Sequence, residues 1–283
     1  MYEGFYRLQA RPFQLSPDPR FFYSSRGHRR AVAYLVYGAH QGEGFIIITG
    51  EIGAGKTMLA ATLAQKLASQ DLVLGQVVST RLGPDDMVRM VAAAFGLPQH
   101  DSKAVLLDRV RQFLLTCNQQ GKRALLIIDE AQSLPSMSVE ELRMLSNFVH
   151  ANRPLLQTFL LGQPEFRRTL HGPAMEQLRQ RVIASYHLGP LDQGETESYI
   201  MHRLQVAGWQ GDPSFSSDLF PLIYQYTGGI PRKINILCDR LMLMGCLDQK
   251  HALTSADVAV VVDEMQQEFA PVDLPASRQW EQG

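Results

Sequence analysis

The segment IIITGEIGAGKTMLA, Ile46 to Ala60, carries residue types at a spacing that suits one kind of ligand. Gly50, Gly55, Lys56 and Thr57 satisfy G-x-x-x-x-G-K-[ST], with Glu51, Ile52, Gly53 and Ala54 filling the loop between them. Gly50, Gly53 and Gly55 let the backbone curl so that successive N–H groups turn inward on phosphate oxygens. A helix opening near Lys56 turns its positive end on the same anion. Lys56 adds a mobile charge for the β- and γ-phosphates, and the Thr57 hydroxyl is placed to ligate Mg²⁺. The expected cofactors are ATP and Mg²⁺.

A second segment decides what is done with the phosphate. ALLIIDEAQ, Ala124 to Gln132, sets two adjacent acids behind five apolar residues, about seventy residues after the loop. That is the spacing of a neighbouring strand in the same sheet. Asp129 at the strand end is suited to hold Mg²⁺ through water, and Glu130 to polarise a water in line with the γ-phosphate. An acid aimed at water predicts ATP hydrolysis; a small-substrate kinase needs an acceptor pocket, and no segment reads as one.

Two cationic sites follow. In GGIPRKINILCDRLMLMG, Pro231 suits the first turn of a helix whose buried stripe is Ile234, Leu237, Leu241 and Met244. Arg232 and Lys233 therefore sit at a helix N-terminus, where the macrodipole disfavours cations and a bound γ-phosphate would relieve the conflict. In EQLRQRVIASYHL, Arg179 and Arg181 stand just before a strand. An arginine there can reach a neighbouring subunit's nucleotide, and two solvent-facing arginines explain the residues equally well.

These residues need a scaffold, and the chain has the pattern of one. Runs at 45–49, 72–79, 124–129, 157–162 and 182–188 are apolar on both faces, as strands of a parallel sheet covered by helices are. Helical spacing fills 56–69, 85–95, 103–119 and 138–150 between them, giving an open α/β sheet. After residue 192 the strand signal stops, and 194–207, 215–227, 231–247 and 254–268 read as a small helical lid. RPFQLSPDPRFFYSS, from Arg11, is too proline-rich for a helix and reads as an extended strap, followed by a helix over 27–40. The expected division is a strap and helix over 1–40, a nucleotide-binding core over 41–190, a lid over 191–268 and a flexible tail over 269–283.

Composition narrows the class. The 283 residues carry 27 Lys+Arg against 28 Asp+Glu, so no global basic field recruits nucleic acid or anionic lipid. Cys117, Cys238 and Cys246 lie in apolar, helix-like surroundings and read as buried thiols of a reducing compartment. The first residues have no signal-peptide pattern, and no apolar run approaches the ~20 residues of a membrane span. A cytoplasmic protein, reaching the inner membrane through a partner, is expected.

With these segments assembled, the sequence resembles the AAA+ secretion ATPases of the general-secretion-pathway protein A and MSHA-pilus type. The match runs from Met1 to about Glu268 through IIDEAQSL, LLGQPEFR, LRQRVIASYHLGPL and TGGIPRKINILCDR. SRGHRRAVAYL and HQGEGFIIITGEIGAGKT look closest to the XrtA-associated subgroup of exopolysaccharide loci. The resemblance implies a P-loop AAA+ core with a helical lid, working as a homo-oligomer with envelope secretion or polysaccharide export proteins. It implies Walker B roles for Asp129 and Glu130, sensor 1 for Gln163, sensor 2 for Arg232 and an arginine finger at Arg181 in preference to Arg179. It also implies that His28, Phe22 and Tyr23 lie by the adenine. Met58 and Ala60 depart from the family's usual residues, which concerns helix packing. Family members continue into a membrane segment and a peptidoglycan-binding domain, so direct wall contact is not expected of this chain. The rival is a DNA-associated AAA+ switch of the replication-initiator or transposition-helper type. Initiators add a winged-helix reader after the lid, and neither such a reader nor a Lys/Arg stripe is expected here.

Overall fold

The computed structural model describes residues 1–41, 44–67, 71–78 and 83–268; the expected tail at 269–283 lies outside them. In chain order, α1 (Tyr2–Phe5), a 3-10 turn (Pro19–Phe21) and α2 (Arg26–Gln41) lead to β1 (Phe45–Gly50) and α3 (Lys56–Leu67). Then come β2 (Leu72–Val78), α4 (Pro84–Ala94), α5 (Lys103–Gln119), β3 (Arg123–Asp129) and α6 (Ser136–Leu145). A short hairpin, β4 (Val149–His150) and β5 (Arg153–Pro154), enters β6 (Leu156–Gly162), α7 (Glu165–His171), α8 (Glu176–Arg179) and β7 (Val182–Leu188). The remainder is α9 (Gln193–Val206), β8 (Ser214–Phe215), α10 (Leu219–Thr227), α11 (Pro231–Leu247), β9 (Ala252–Leu253) and α12 (Ser255–Glu268).

The main sheet is parallel, five-stranded and ordered β2-β3-β6-β1-β7. Every residue of β1 and β6, and all but the first of β3, is buried, which is why those runs are apolar on both faces. One face packs Phe45, Ile47, Leu126 and Leu160 against α4, α5 and α6; the other packs Ile46, Ile48, Leu125 and Phe159 against α2 and α3. Parallel pairing brings the carboxyl ends of the strands to one edge, with Thr49 beside Gly162 and Ile128 beside Leu160. That edge is where open α/β sheets bind ligands.

The strand carrying Asp129 differs from expectation in one respect. It is not adjacent to β1, because β6 lies between them. The crossover has a consequence for the site: Gln163 follows the strand that lies between the strand of the phosphate loop and that of the acid pair.

A separate core belongs to the helices after β7. Ile200, Leu204, Ile223, Leu237, Leu241 and Val258 are its centre. Asp192 caps α9 by accepting the Glu195 N–H at 2.8 Å, a contact of about 1 kcal/mol. Gly228 ends α10 in a left-handed conformation, and Pro231 opens α11. Between them Gly229 has φ +70°, and a Cβ there would stand 2.0 Å from the Leu191 carbonyl, so the turn into α11 admits only glycine.

The N-terminal segment joins this helical core. Tyr2, Tyr6, Leu8 and Phe13 are buried in it, and the Tyr2 hydroxyl donates to Asp239 at 2.5 Å. The expected extended strap contains the 3-10 turn at Pro19–Phe21, closed by Asp18 accepting from the Arg20 N–H. Two other segments depart from the expected helices. Residues 138–150 end their helix at Leu145, because the chain turns into the β4–β5 hairpin through positive φ at Ala151 and Asn152. Residues 215–227 begin as strand β8, paired with β9, before α10 starts at Leu219. Cys117 and Cys238 are buried, whereas Cys246 is only half-buried.

Candidate active site

The loop after β1 curls through φ +81° at Gly53 and +96° at Gly55. Neither position has room for a side chain. A Cβ on Gly53 would meet Arg232 Cβ at 2.3 Å, and one on Gly55 would meet His28 Nε2 at 2.9 Å. Gly50 is as tight, 2.7 Å from the Leu188 carbonyl. Lys56 begins α3 and is 5 % exposed. Its ammonium folds back on the loop, donating to the carbonyls of Gly50 at 2.8 Å and Glu51 at 3.0 Å. Burial lowers its pKa, opposed by the charges of Glu130, Asp129 and Glu51.

The acid pair meets this loop from β3. Thr57 Oγ1 donates to Asp129 Oδ2 at 2.7 Å, joining the two expected magnesium ligands across the mouth of the loop. A hydroxyl and one buried carboxylate suit a hard divalent cation, and Thr57 and Asp129 would hold Mg²⁺ here. Glu130 stands in the left-handed region at φ +56°, φ/ψ space that costs a non-glycine residue about 1–3 kcal/mol. Its backbone N–H donates to Asp129 Oδ1 at 2.9 Å. The twist carries the Glu130 side chain into the cleft, where its Oε2 accepts from Gln163 Nε2 at 3.2 Å and from Gln132 Nε2.

Gln132 was not singled out as a site residue by its sequence position, yet it ties the cluster together. Its Oε1 accepts the Gln163 backbone N–H at 2.9 Å while its amide nitrogen holds Glu130. The available signal was its place two residues after Glu130, within DEAQ.

The lid closes the other side. The Arg232 N–H, in the first turn of α11, donates to the Gly53 carbonyl at 3.2 Å, so this arginine lies directly against the phosphate loop. A cleft of about 230 Å³ runs from Gly53–Met58, Glu130 and Arg232 to strap residues Gln14–Asp18 and Phe21–Tyr23. Arg179 and Arg181 are not part of it. Arg179 donates to the carbonyls of Leu170 and Gly172, the latter at 2.8 Å, and Arg181 to the Ser146 hydroxyl at 2.8 Å. The Arg181 carbonyl accepts the Phe45 N–H, which puts it at the opposite edge of the sheet from the loop.

His28 also lines the cleft. It is buried at the start of α2, with its N–H donating to Ser25 Oγ at 3.1 Å and Nδ1 lying 2.8 Å from the same oxygen. Phe22 meets its ring edge-on at 5.3 Å. Burial pulls its pKa from 6.5 down to about 4, against the attraction of Glu195. The folded chain therefore excludes a proton that the unfolded chain binds, and stability falls as pH drops from 6.5 towards 4. Between pH 7 and pH 5 the loss from this residue is about 2 kcal/mol. Urea unfolding at the two pH values should show that difference, and His28→Gln should shrink it.

With this geometry in view, comparison with known proteins is direct. Residues 39–170 match the family described as AAA domain. The chain is 36 % identical over 268 residues to General secretion pathway protein A of Aeromonas hydrophila, covering 94 % of this chain and 48 % of that protein. It thus spans about half the length of this relative. Among solved structures, the Aeropyrum pernix ORC2 protein aligns with TM-score 0.68 at 16 % identity, over 91 % of this chain and 72 % of that one. Drosophila ORC bound to DNA aligns with TM-score 0.68 at 16 % identity, covering 90 % and 64 %. The Thermotoga maritima RuvB Holliday junction branch migration motor aligns with TM-score 0.57 at 16 % identity, covering 85 % and 69 %. At such identities these structures speak for the fold alone: a P-loop NTPase sheet flanked by helices. Residues 39–170 thus match the AAA domain family, and the chain is similar along nearly its whole length to one half of General secretion pathway protein A.

Proposed function

We propose that the chain is a Mg²⁺-dependent ATPase that works as a homo-oligomer in support of an envelope secretion system, and more narrowly of exopolysaccharide export. One observation carries the hydrolytic part: Thr57, Asp129, Glu130 and Gln163 converge on one side of the phosphate loop. In this reading Gly50 to Thr57 cradle the phosphates while Thr57 and Asp129 hold the metal. Glu130 orients the attacking water, Gln163 senses the γ-phosphate and Arg232 reports it to the lid. When bound, Mg²⁺ neutralises charge on the phosphate oxygens.

The secretion role is supported by the relative, which aligns along nearly the whole of this chain. The subgroup assignment rests on the sequence wording around Ser25–Leu35 and His40–Thr57. Among the described residues no helix is long and apolar enough to cross a membrane, so recruitment to an envelope is proposed to run through protein contacts. A DNA-associated switch is the second reading, and it shares the fold of the ORC and RuvB structures. The balance of 27 Lys+Arg against 28 Asp+Glu works against it, because duplex binding draws on several phosphate contacts and counterion release. Titration of duplex and single-stranded DNA into the ATP-bound protein distinguishes the two. Affinity weaker than ~10⁻⁴ M at physiological salt, without change in ATPase rate, is expected. Tight, salt-sensitive binding that stimulates hydrolysis would overturn the secretion reading.

A further inference from the structure

The strap is fastened to the lid by one buried cation. Arg203 on α9 is 7 % exposed and lines the far end of the cleft. Its Nε–H donates to the Pro12 carbonyl, its Nη2 to the Gln14 carbonyl at 3.2 Å, and its Nη1 to the Tyr199 hydroxyl at 2.9 Å. The guanidinium carbon also lies 4.9 Å from the centre of the Phe21 ring. None of these partners is a carboxylate. The charge is held by strap carbonyls and aromatic faces, an arrangement that fixes geometry more than it gains Coulomb energy.

The neighbouring side chains act on the same segment. Tyr199 and His202, three residues apart on α9, share a face of the helix, and Tyr199 is also one turn before Arg203. Their rings flank Tyr23 at centroid distances of 5.9 and 5.7 Å. The Tyr199 hydroxyl then donates to Asn235 Oδ1 at 2.9 Å, on α11 three residues after Arg232.

We propose that Arg203 is a positioning residue for the base end of the cleft, its fork fixing the strap so that the cleft selects the adenine nucleotide. This rests on the nucleotide-binding reading above. The loop, Lys56 and Arg232 face phosphates, which are common to all nucleoside triphosphates. Discrimination among bases therefore falls to the opposite wall, and Arg203 holds that wall. A lysine keeps the charge but cannot fork between two carbonyls and a phenol.

The test is calorimetric titration of ATP, GTP and CTP, each with Mg²⁺, into the unaltered chain, Arg203→Lys and Phe21→Leu, with steady-state turnover in parallel. The unaltered chain should prefer ATP. Arg203→Lys should weaken ATP binding by about 10- to 100-fold, as loss of charged hydrogen bonds does. GTP and CTP should change far less, so that selectivity collapses, while kcat at saturating ATP is kept. Phe21→Leu, which leaves the guanidinium hydrogen bonds in place, should lose selectivity in the same direction and to a smaller extent. A folded Arg203→Lys that keeps the original selectivity overturns the inference. Where Arg203→Lys fails to fold, unchanged selectivity in Phe21→Leu overturns it. An unaltered chain that binds all three equally also sinks it. Binding of none of them removes the nucleotide reading itself, a result distinct from either.

Discussion

Glu130→Gln is expected to bind MgATP as the unaltered chain does and to turn it over about 10²–10⁴-fold more slowly. The substitution is nearly isosteric, so the left-handed backbone at φ +56° and the Gln163 contact at 3.2 Å have no steric reason to change. What disappears is the negative charge that polarises water. Lys56→Ala should fail differently, because its ammonium lies within the loop on the Gly50 and Glu51 carbonyls and is the charge nearest the expected phosphates. Nucleotide affinity should fall there, with hydrolysis lost as a consequence. Equilibrium binding and single-turnover hydrolysis on both variants separate the two defects. Turnover in Glu130→Gln equal to that of the unaltered chain would remove Glu130 from its proposed role.

Gln132 is the companion that this experiment brings into view. It holds Glu130 through its amide nitrogen and the Gln163 backbone through its oxygen, so it sets the spacing between β3 and β6 at the site. Nothing in its residue type announced this. A glutamine two residues past an acid reads as a solvated loop residue until β6 is known to lie beside β3. The phosphate loop was legible because its chemistry is local: glycine spacing, a lysine and a hydroxyl within eight residues of one chain segment. The five main strands were legible for a related reason, since burial on both faces leaves continuous apolar runs.

Strand order was harder. The distance along the chain from Thr57 to Asp129 is the same whether or not another strand lies between them, and β6 comes later in sequence. The strap was hidden by its own composition. Its prolines exclude a long helix, but Arg203, which meets the Pro12 and Gln14 carbonyls and the Phe21 ring, is nearly two hundred residues away, so no local pattern shows where it docks. The β4–β5 hairpin was missed because Ala151 and Asn152 are not a glycine-containing turn, and the helical spacing of 138–150 ran over β4.

Arg181→Ala should lower kcat by about 10³–10⁵-fold, the range for an arginine that completes a phosphoryl-transfer site. The fold says that such a role must be exercised on another subunit. The Arg181 carbonyl accepts the Phe45 N–H, at the start of β1, whereas the phosphate loop follows Gly50 at its far end. Five residue steps of parallel strand place roughly 17 Å between these edges. Arg179 is a weaker candidate because its guanidinium is committed to the carbonyls of Leu170 and Gly172, bracing α7 against α8. Arg181 has a lighter anchor, the Ser146 hydroxyl, which a better anion can displace. Specific activity should therefore rise with protein concentration as subunits associate. Arg181→Ala and Glu130→Gln, each inactive alone, should regain activity when mixed. Their shared interfaces pair an intact Glu130 from one subunit with an intact Arg181 from the next. Arg179→Ala should instead lower stability with its turnover largely kept. Concentration-independent activity in the unaltered chain, together with full activity in Arg181→Ala, would leave the arginine as a tether for Ser146 and return hydrolysis to the isolated subunit.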